Sequence, residues 1–253
     1  MPSRTTSSRR KVLLIDVSNS FTKIAVASGL KIGPVRRVPT SGLKKTDFSS
    51  IRADLALIAS VVPPANPIIA SSLPCPSLWV DHRVPGGVEI DYPNPATIGS
   101  DRLANAAAAV KLGKLPAIVV DFGTAVTFDV IDSRGFYLGG VIAPGLPTAA
   151  AALHERTALL PLTKITAIRK SIGKSTSEAI RIGLLLGAAG LIRETVSGIT
   201  RDAFRGNRPH VLATGGDAEL VDRLSRRNGP PVIDRVDPLL TLRGLLAIAE
   251  KNP

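Results

Sequence analysis

The sequence predicts an α/β protein made of two similar domains that face each other across a central cleft. The main observation is a repeated pattern: an apolar strand that stops at an acid, then a tight turn, then a second strand. Its first copy is Val12-Leu13-Leu14-Ile15, the acid Asp16, the turn Val17-Ser18-Asn19-Ser20, and then Thr22, Ile24 and Val26. Its second copy, about one domain length later, is Ala117-Ile118-Val119-Val120, Asp121, the turn Phe122-Gly123-Thr124-Ala125, and then Val126, Phe128 and Val130. The second observation is that further short apolar strands alternate with helical stretches, the pattern of α/β folds. The third is size: 253 residues with 44% hydrophobic content allow a sizeable core in one large or two small domains.

The elements follow in order. Residues 1–10 are rich in Ser, Thr and Arg and are expected to form a disordered tail. An N-terminal domain is expected over residues 11–115 and a C-terminal one over 116–253. After the first repeat, residues 54–60 read as a strand ended by Val61-Val62-Pro63-Pro64, and Leu78-Trp79-Val80 as a short strand. Residues 86–95 form a loop of turn formers. Ser100 is placed to cap a helix from Asp101 to about Lys111. In the second repeat, Ser133-Arg134-Gly135 is a turn, and Gly139-Gly140 through Pro144-Gly145 closes the unit. A helix is expected over 148–160 and a long one from Ser175 to about Phe204. Gly183, Gly187 and Gly190 recur in it at helical spacing, and each costs about 1 kcal/mol relative to Ala. Such a face serves either a helix of a second subunit or a contact within the chain. Val211-Leu212-Ala213 is a strand running into Thr214-Gly215-Gly216-Asp217 and a helix, a turn that suits a nucleotide. Residues 238–250 form a C-terminal helix with Pro238 in its first turn.

The acids at the strand ends carry the chemistry. A buried carboxylate is costly unless it is paired or binds a cation. Gly123 allows backbone to approach a ligand closely. Successive N–H groups and the Thr124 hydroxyl are suited to phosphate oxygens. On this segment alone, an Asp and a Thr that merely fix a β-turn account for it equally well. The second copy, with Asp16, decides for paired domains whose acids meet at a cleft floor, an arrangement that resembles the nucleotide-binding superfamily of actin, sugar kinases and acetate kinase.

Composition removes some classes. One cysteine, Cys75, excludes an internal disulfide and fits a reducing compartment. No convincing secretory signal is present, because Asp16 interrupts the first apolar stretch. The apolar run 179–192 contains Arg181 and falls short of the roughly 20 residues that span a bilayer. A cytoplasmic protein without a membrane anchor is therefore expected. The net charge of +12 raises nucleic-acid binding as a rival, but the charge is scattered and aromatics are only 4%. A base-stacking platform is thus poorly supported, and a field that favours anionic ligands is the better reading.

Six segments in sequence order resemble type III pantothenate kinase. Asp16 to Lys23, DVSNSFTK, is similar to a first phosphate motif, D-x-G-N-T-x-x-K. Ser60-Val61-Val62-Pro63 is similar to S-V-x-P. Tyr92-Pro93-Asn94-Pro95 with Gly99-Ser100-Asp101-Arg102 resembles the substrate segment Y-x-x-P followed by G-x-D-R. Asp121 to Ala125, with Gly139-Gly140 and Pro144-Gly145, resembles the second phosphate motif. Gly173 to Ile180 resembles a G-x-x-T-x-x-A-I helix start, and Thr214 to Ala218 an adenosine motif.

The resemblance implies an α/β fold of two actin-like (ribonuclease H-like) domains. It implies ATP-dependent phosphorylation of pantothenate to 4′-phosphopantothenate on the way to coenzyme A, with Mg²⁺, with K⁺ or NH₄⁺, and as a homodimer. Carried over by motif, Asp101 is the general base. Tyr92, Gly99, Ser100, Asp101, Arg102 and Thr176 hold pantothenate. Asp16, Val17, Ser18, Asn19, Ser20, Phe21, Thr22, Lys23, Thr124, Gly215 and Gly216 hold ATP. Asp121 binds the monovalent cation, and Asp16 is assigned to Mg²⁺.

The chemistry is consistent with those roles. A primary alcohol attacking the γ-phosphorus must lose its proton, and a positioned carboxylate accepts it. A helix start is expected to lower the pKa of Asp101, which makes it a weak base that acts late. Arg102 offers a planar fork for a carboxylate. Two departures stand out. Ser18 replaces the motif Gly, at about 1–2 kcal/mol if that position needs positive φ, and Ser20 replaces Thr but keeps a hydroxyl. They leave open a catalytically weak relative that acts as a regulatory or binding protein. A different small-molecule kinase or phosphatase of the superfamily is disfavoured by Tyr92 and the Gly99 to Arg102 segment.

Overall fold

The computed structural model describes residues 10–227 and 229–253. Apart from Arg10, the expected tail lies outside the described residues. The chain forms two compact units. One comprises the chain up to Val88, Pro93–Lys111 and Thr241–Pro253, and the other comprises Glu89–Tyr92 and Leu112–Leu240.

Unit 1 carries β1 (Lys11–Val17), β2 (Phe21–Ser28), β3 (Lys31–Ile32), β4 (Arg36–Pro39), β5 (Leu55–Ser60) and β6 (Ser77–Trp79), with helices α1 (Asn66–Ala70) and α2 (Ser100–Leu112). Its sheet order is β3-β2-β1-β5-β6, with β4 also on β2. β1 is antiparallel to β2 and parallel to β5, which is parallel to β6. As the central strand, β1 is buried at every residue after Lys11, hence the unbroken apolar run that ends at Asp16. Leu13, Ile15, Ile24, Phe48, Ile58 and Ile69 form the core on one side.

Unit 2 carries β7 (Glu89–Ile90), β8 (Ala117–Phe122), β9 (Ala125–Ile131), β10 (Phe136–Pro144), β11 (His210–Gly215) and β12 (Arg235–Val236), with α3 (Leu146–Glu155), α4 (Thr176–Phe204) and α5 (Ala218–Arg227). Its order is β12-β11-β8-β9-β10-β7. The β8–β9 and β9–β10 pairs are antiparallel, while β8–β11, β11–β12 and β7–β10 are parallel. The run β10-β9-β8-β11-β12 repeats β3-β2-β1-β5-β6 in both order and direction. The repeat read from two acids is thus a repeat of the whole sheet, and the predicted α/β class of two similar domains is the architecture found.

α4 is long and apolar enough to cross a membrane by length and composition, with a third of its most apolar stretch buried. The apolar run 179–192 is shorter than a bilayer span, but the helix extends beyond it at both ends. The buried side, with Ile182, Leu185, Ile192 and Val196, joins Ile118, Val120, Phe128 and Val211 in the core of unit 2, as a core helix does.

The structure corrects three boundaries. The helix expected over 148–160 is α3, which starts at Leu146 because Gly145 caps it and Pro147 sits in its first turn. The last helix, α6 (Leu240–Lys251), starts two residues after Pro238, because the Asp237 carboxylate first accepts the Leu239 N–H at 3.0 Å. Most of α6 also belongs to unit 1 rather than to a domain running from 116 to 253. Its Gly244 lies so close to α2 that a Cβ there would stand 1.7 Å from the Ala104 carbonyl oxygen. Only the run of small residues on α2, Ala104 and Ala106 to Ala109, all buried, permits such an approach.

Candidate active site

In unit 1, the β1–β2 pairing places Asp16 opposite Lys23 and Val17 opposite Thr22. The Lys23 ammonium is 3.2 Å from the Asp16 carboxylate. Burial raises the pKa of Asp16, and the Lys23 charge opposes that rise. The turn is closed by its own hydrogen bonds. The Ser18 N–H and hydroxyl both donate to the Phe21 carbonyl, at 3.3 and 2.8 Å. The Thr40 hydroxyl donates to the Ser18 carbonyl at 2.7 Å, and the Thr40 N–H to that of Ser20 at 3.1 Å. Thr22 is buried with its hydroxyl 3.0 Å from that of Thr40, so of the expected phosphate loop only the tip, with Asn19 and Ser20, is exposed. Among the described residues, Arg205 is the one non-glycine with positive φ. Ser18 therefore carries no left-handed strain, and the cost anticipated for its replacement of Gly does not arise.

The start of α2 is built around Asp101. The Gly99 carbonyl takes the first helical bond, from the Leu103 N–H at 3.1 Å. Gly99, not Ser100, is thus the cap. Ser100 is the first helical residue, and its hydroxyl donates to the Ser60 carbonyl at 3.0 Å, fastening the helix to the end of β5. One Asp101 carboxylate oxygen accepts the Arg102 N–H at 2.8 Å. A Cβ at position 99 would lie 2.6 Å from that oxygen, so Gly is the residue that leaves the carboxylate its place. The pKa of Asp101 is raised, not lowered as the helix start implied. Burial is the largest cause and the negative charge of Asp16 adds to it, against the Arg102 N–H bond and the Arg102 charge. Asp101 keeps some accessible surface, but protein replaces enough water around its carboxylate to outweigh the helix end.

In unit 2, Asp121 sits near the end of β8, opposite Thr127 of β9 and Thr214 of β11. In the turn that follows, the Gly123 N–H donates to the Ala125 carbonyl at 3.0 Å. The Thr124 carbonyl accepts the Gly145 N–H at 3.0 Å and the Thr148 hydroxyl at 2.6 Å. Gly145 is obligatory there, since a Cβ would stand 2.1 Å from the Gly123 carbonyl oxygen. Gly215, at φ +94°, packs on Phe122 with no room for a side chain. The structure thus joins Asp121, Thr124 and Gly215 at adjoining strand ends, with Gly216 exposed just beyond. Thr176 stands exposed at the start of α4, where the Ser175 hydroxyl accepts the Glu178 N–H at 3.2 Å and Glu178 accepts the Lys174 N–H at 2.7 Å. Tyr92 lies on unit 2, packed edge-on against Tyr137.

Sequence reasoning missed Thr40, which fixes the loop from a distance and carries no local signal, and it placed Ser60 in a motif without a role, which the structure supplies as the acceptor that fastens α2. It also missed Asp129 and Tyr137, although an acid inside the apolar strand 126–131 was a signal.

Among the described residues no group of three or more His, Cys, Asp or Glu is placed to hold a metal. Mg²⁺ in kinase sites takes one or two carboxylates plus phosphate oxygens. Asp16 fits an ion that arrives with a nucleotide, and Asp121, a carboxylate at a strand end beside a turn with carbonyl oxygens, has the hard oxygen chemistry that suits a monovalent cation.

The model of the family described as type III pantothenate kinase matches residues 12–198. The chain belongs to the type III pantothenate kinase family. A type III pantothenate kinase of Akkermansia muciniphila is 44% identical over 95% of this chain and 98% of its own length. That of Methylacidiphilum infernorum is 37% identical over 94% and 88%. A solved archaeal actin homologue is 12% identical, with TM-score 0.53, over 95% of this chain and 99% of its own. That likeness concerns the fold alone and identifies the paired sheets as actin-like. All the motifs of the type III pantothenate kinase family named above fall within the matched residues except Thr214 to Ala218, which the full-length relatives cover.

Proposed function

We propose that the chain transfers the γ-phosphoryl group of ATP to the primary alcohol of pantothenate, giving 4′-phosphopantothenate for coenzyme A synthesis in the cytoplasm. The observation that carries this reading is Asp101: a carboxylate at a helix start, seated over Gly99, with its pKa raised by burial and by Asp16. A raised pKa makes the ionised Asp101 a better proton acceptor than an ordinary carboxylate.

In this reading Asp101 orients the alcohol and takes its proton as the bond to phosphorus forms. Arg102 pairs with the pantothenate carboxylate, and Tyr92 and Thr176 complete the contacts. Gly99 contributes by leaving room, and Ser100 by fastening the helix rather than by touching substrate. The loop from Asp16 to Lys23, with Thr124, Gly215 and Gly216, receives ATP. Lys23, paired with Asp16 at 3.2 Å, is the cation of this loop that would turn to a phosphate. Mg²⁺ held with Asp16, and K⁺ or NH₄⁺ held with Asp121, would supply positive charge against the phosphates. A second copy of the chain is the proposed partner. Neither a membrane nor a specific nucleic acid is required.

The test is a coupled ADP-release assay with pantothenate, Mg²⁺ and K⁺. Pantothenate-dependent ADP release supports the reading, and higher rates in K⁺ than in Na⁺ support the role of Asp121. A folded protein that binds pantothenate without turning ATP over would favour the weak-relative reading.

A further inference from the structure

We infer that Tyr137, Asp129 and Gly139 form a positioning set for Tyr92 and so control the affinity for pantothenate rather than the phosphoryl-transfer step. This rests on the reading of Tyr92 as a substrate contact. The whole arrangement lies within unit 2.

The base of the set is buried. Tyr137 is 1% exposed and Asp129 fully buried, and the Tyr137 hydroxyl donates to the Asp129 carboxylate at 3.0 Å. A hydrogen bond to a carboxylate in a low-dielectric interior is strong and directional, so it anchors the hydroxyl end of the Tyr137 ring. Between Tyr137 and Gly139 the β9–β10 register shifts. A bulge of this kind re-aims the residues on either side of it, here with Gly139 at φ +122°.

Three fastenings then act on Tyr92. Ile90 of β7 pairs with Tyr137, and the Asp91 N–H donates to the Tyr137 carbonyl at 3.0 Å. The two tyrosine rings meet edge to face, with centroids 6.3 Å apart at 73°. The Tyr92 ring also rests over Gly139, where a Cβ would stand 3.3 Å from Cε2 and 3.4 Å from Cδ2. Yet Tyr92 is 37% exposed. An aromatic ring pinned along one side and open on the other is preorganised to receive a ligand, which lowers the ordering cost of binding.

The experiment measures KM for pantothenate, KM for ATP, kcat and melting temperature in Tyr92→Ala, Gly139→Ala, Tyr137→Phe and the double variant Tyr92→Ala/Gly139→Ala. Tyr137→Phe keeps the ring and its volume, so it serves if Gly139→Ala does not fold. An aromatic contact of this kind is worth about 0.5–1.5 kcal/mol, or roughly two- to tenfold in affinity. The expected result is that Gly139→Ala and Tyr137→Phe both raise KM for pantothenate by roughly that factor, and that Tyr137→Phe does so with kcat and KM for ATP within about twofold. The double variant is expected to be no worse than Tyr92→Ala alone. If Tyr92→Ala raises KM but the other two do not, or if Gly139→Ala is fully additive with it, the positioning role is overturned while the function stands. If Tyr92→Ala leaves KM unchanged, the role of Tyr92 fails and the inference falls with it.

Discussion

At Asp101 the proposed role as base comes with a cost. Its raised pKa means that the folded state binds the proton more tightly than the unfolded chain. Stability is then lost, not gained, as pH rises through the unfolded and then the folded value. Asp101→Asn removes that cost, so the variant should melt at or above the wild-type temperature at neutral pH. The difference should shrink as pH falls below the ordinary carboxylate value. Turnover should move the other way, with a loss of about 10²–10⁴-fold, the usual range for a general base. The acid limb of the wild-type kcat/KM profile should lie above the ordinary Asp value of 3.8, because the base must be ionised to act. Steady-state kinetics and melting curves across pH check both, and a stable variant with near-wild-type turnover removes Asp101 from the chemistry. The motif made Asp101 legible in the sequence as a candidate. The direction of its pKa was not legible: the helix start, which is local, argues for a lowering, whereas burial and Asp16 come from packing.

At the scale of elements, the β1–β2 turn makes Ser18 a structural residue. Its hydroxyl closes the turn onto Phe21 at 2.8 Å, and its φ is not left-handed. Ser18→Gly should therefore lower stability by about 0.5–1.5 kcal/mol, the worth of a hydrogen bond, instead of relieving strain. Denaturant unfolding measures this, and a stabilised variant would show that the turn strains Ser18 after all. The α2–α6 contact sets a second expectation. Gly244→Ala places a methyl group into the Ala104 carbonyl, and overpacking of this kind costs typically 1–3 kcal/mol. The same unfolding experiment checks it, and a change below about 0.5 kcal/mol would mean that α6 is free to shift away. The long elements of both units were legible because burial imposed a period on them. Strands β3, β4, β7 and β12, of two to four residues, are too short to carry a period. β10 was hidden by Gly139-Gly140, which read as the start of a closing segment but pair with Val130 and Asp129 inside a strand, just past its register shift. The return of α6 to unit 1 depends on a contact between residues far apart in sequence, which no local pattern encodes.

At the scale of the molecule, unit 2 presents an uncovered apolar face. Gly183, Gly187 and Gly190 have open space where a Cβ would stand, so among the described residues nothing packs on them there. Beside them, β10 continues past its pairing with β7, and Val141 and Ile142 are 36% and 63% exposed. Between the two runs an apolar cleft of about 270 Å³, lined by Val126, Pro144, Leu146, Leu184, Gly187 and Leu191. Three glycines on one exposed helix face cost about 1 kcal/mol each relative to Ala, a cost with no return in a solvated helix but a use where another backbone must approach. A second copy of the chain, meeting this face with its own, is the occupant expected here. Light scattering at about micromolar concentration should then give twice the 26.5 kDa chain mass, with a melting temperature that rises with concentration. Gly187→Leu should shift the mass toward one chain. Gly187→Ala separates the alternatives: on a solvated face it adds about 1 kcal/mol of helix stability and leaves the mass unchanged, whereas in an interface it weakens association. A wild-type mass of a single chain, or a Gly187→Leu protein that stays dimeric, would place the second copy elsewhere or nowhere.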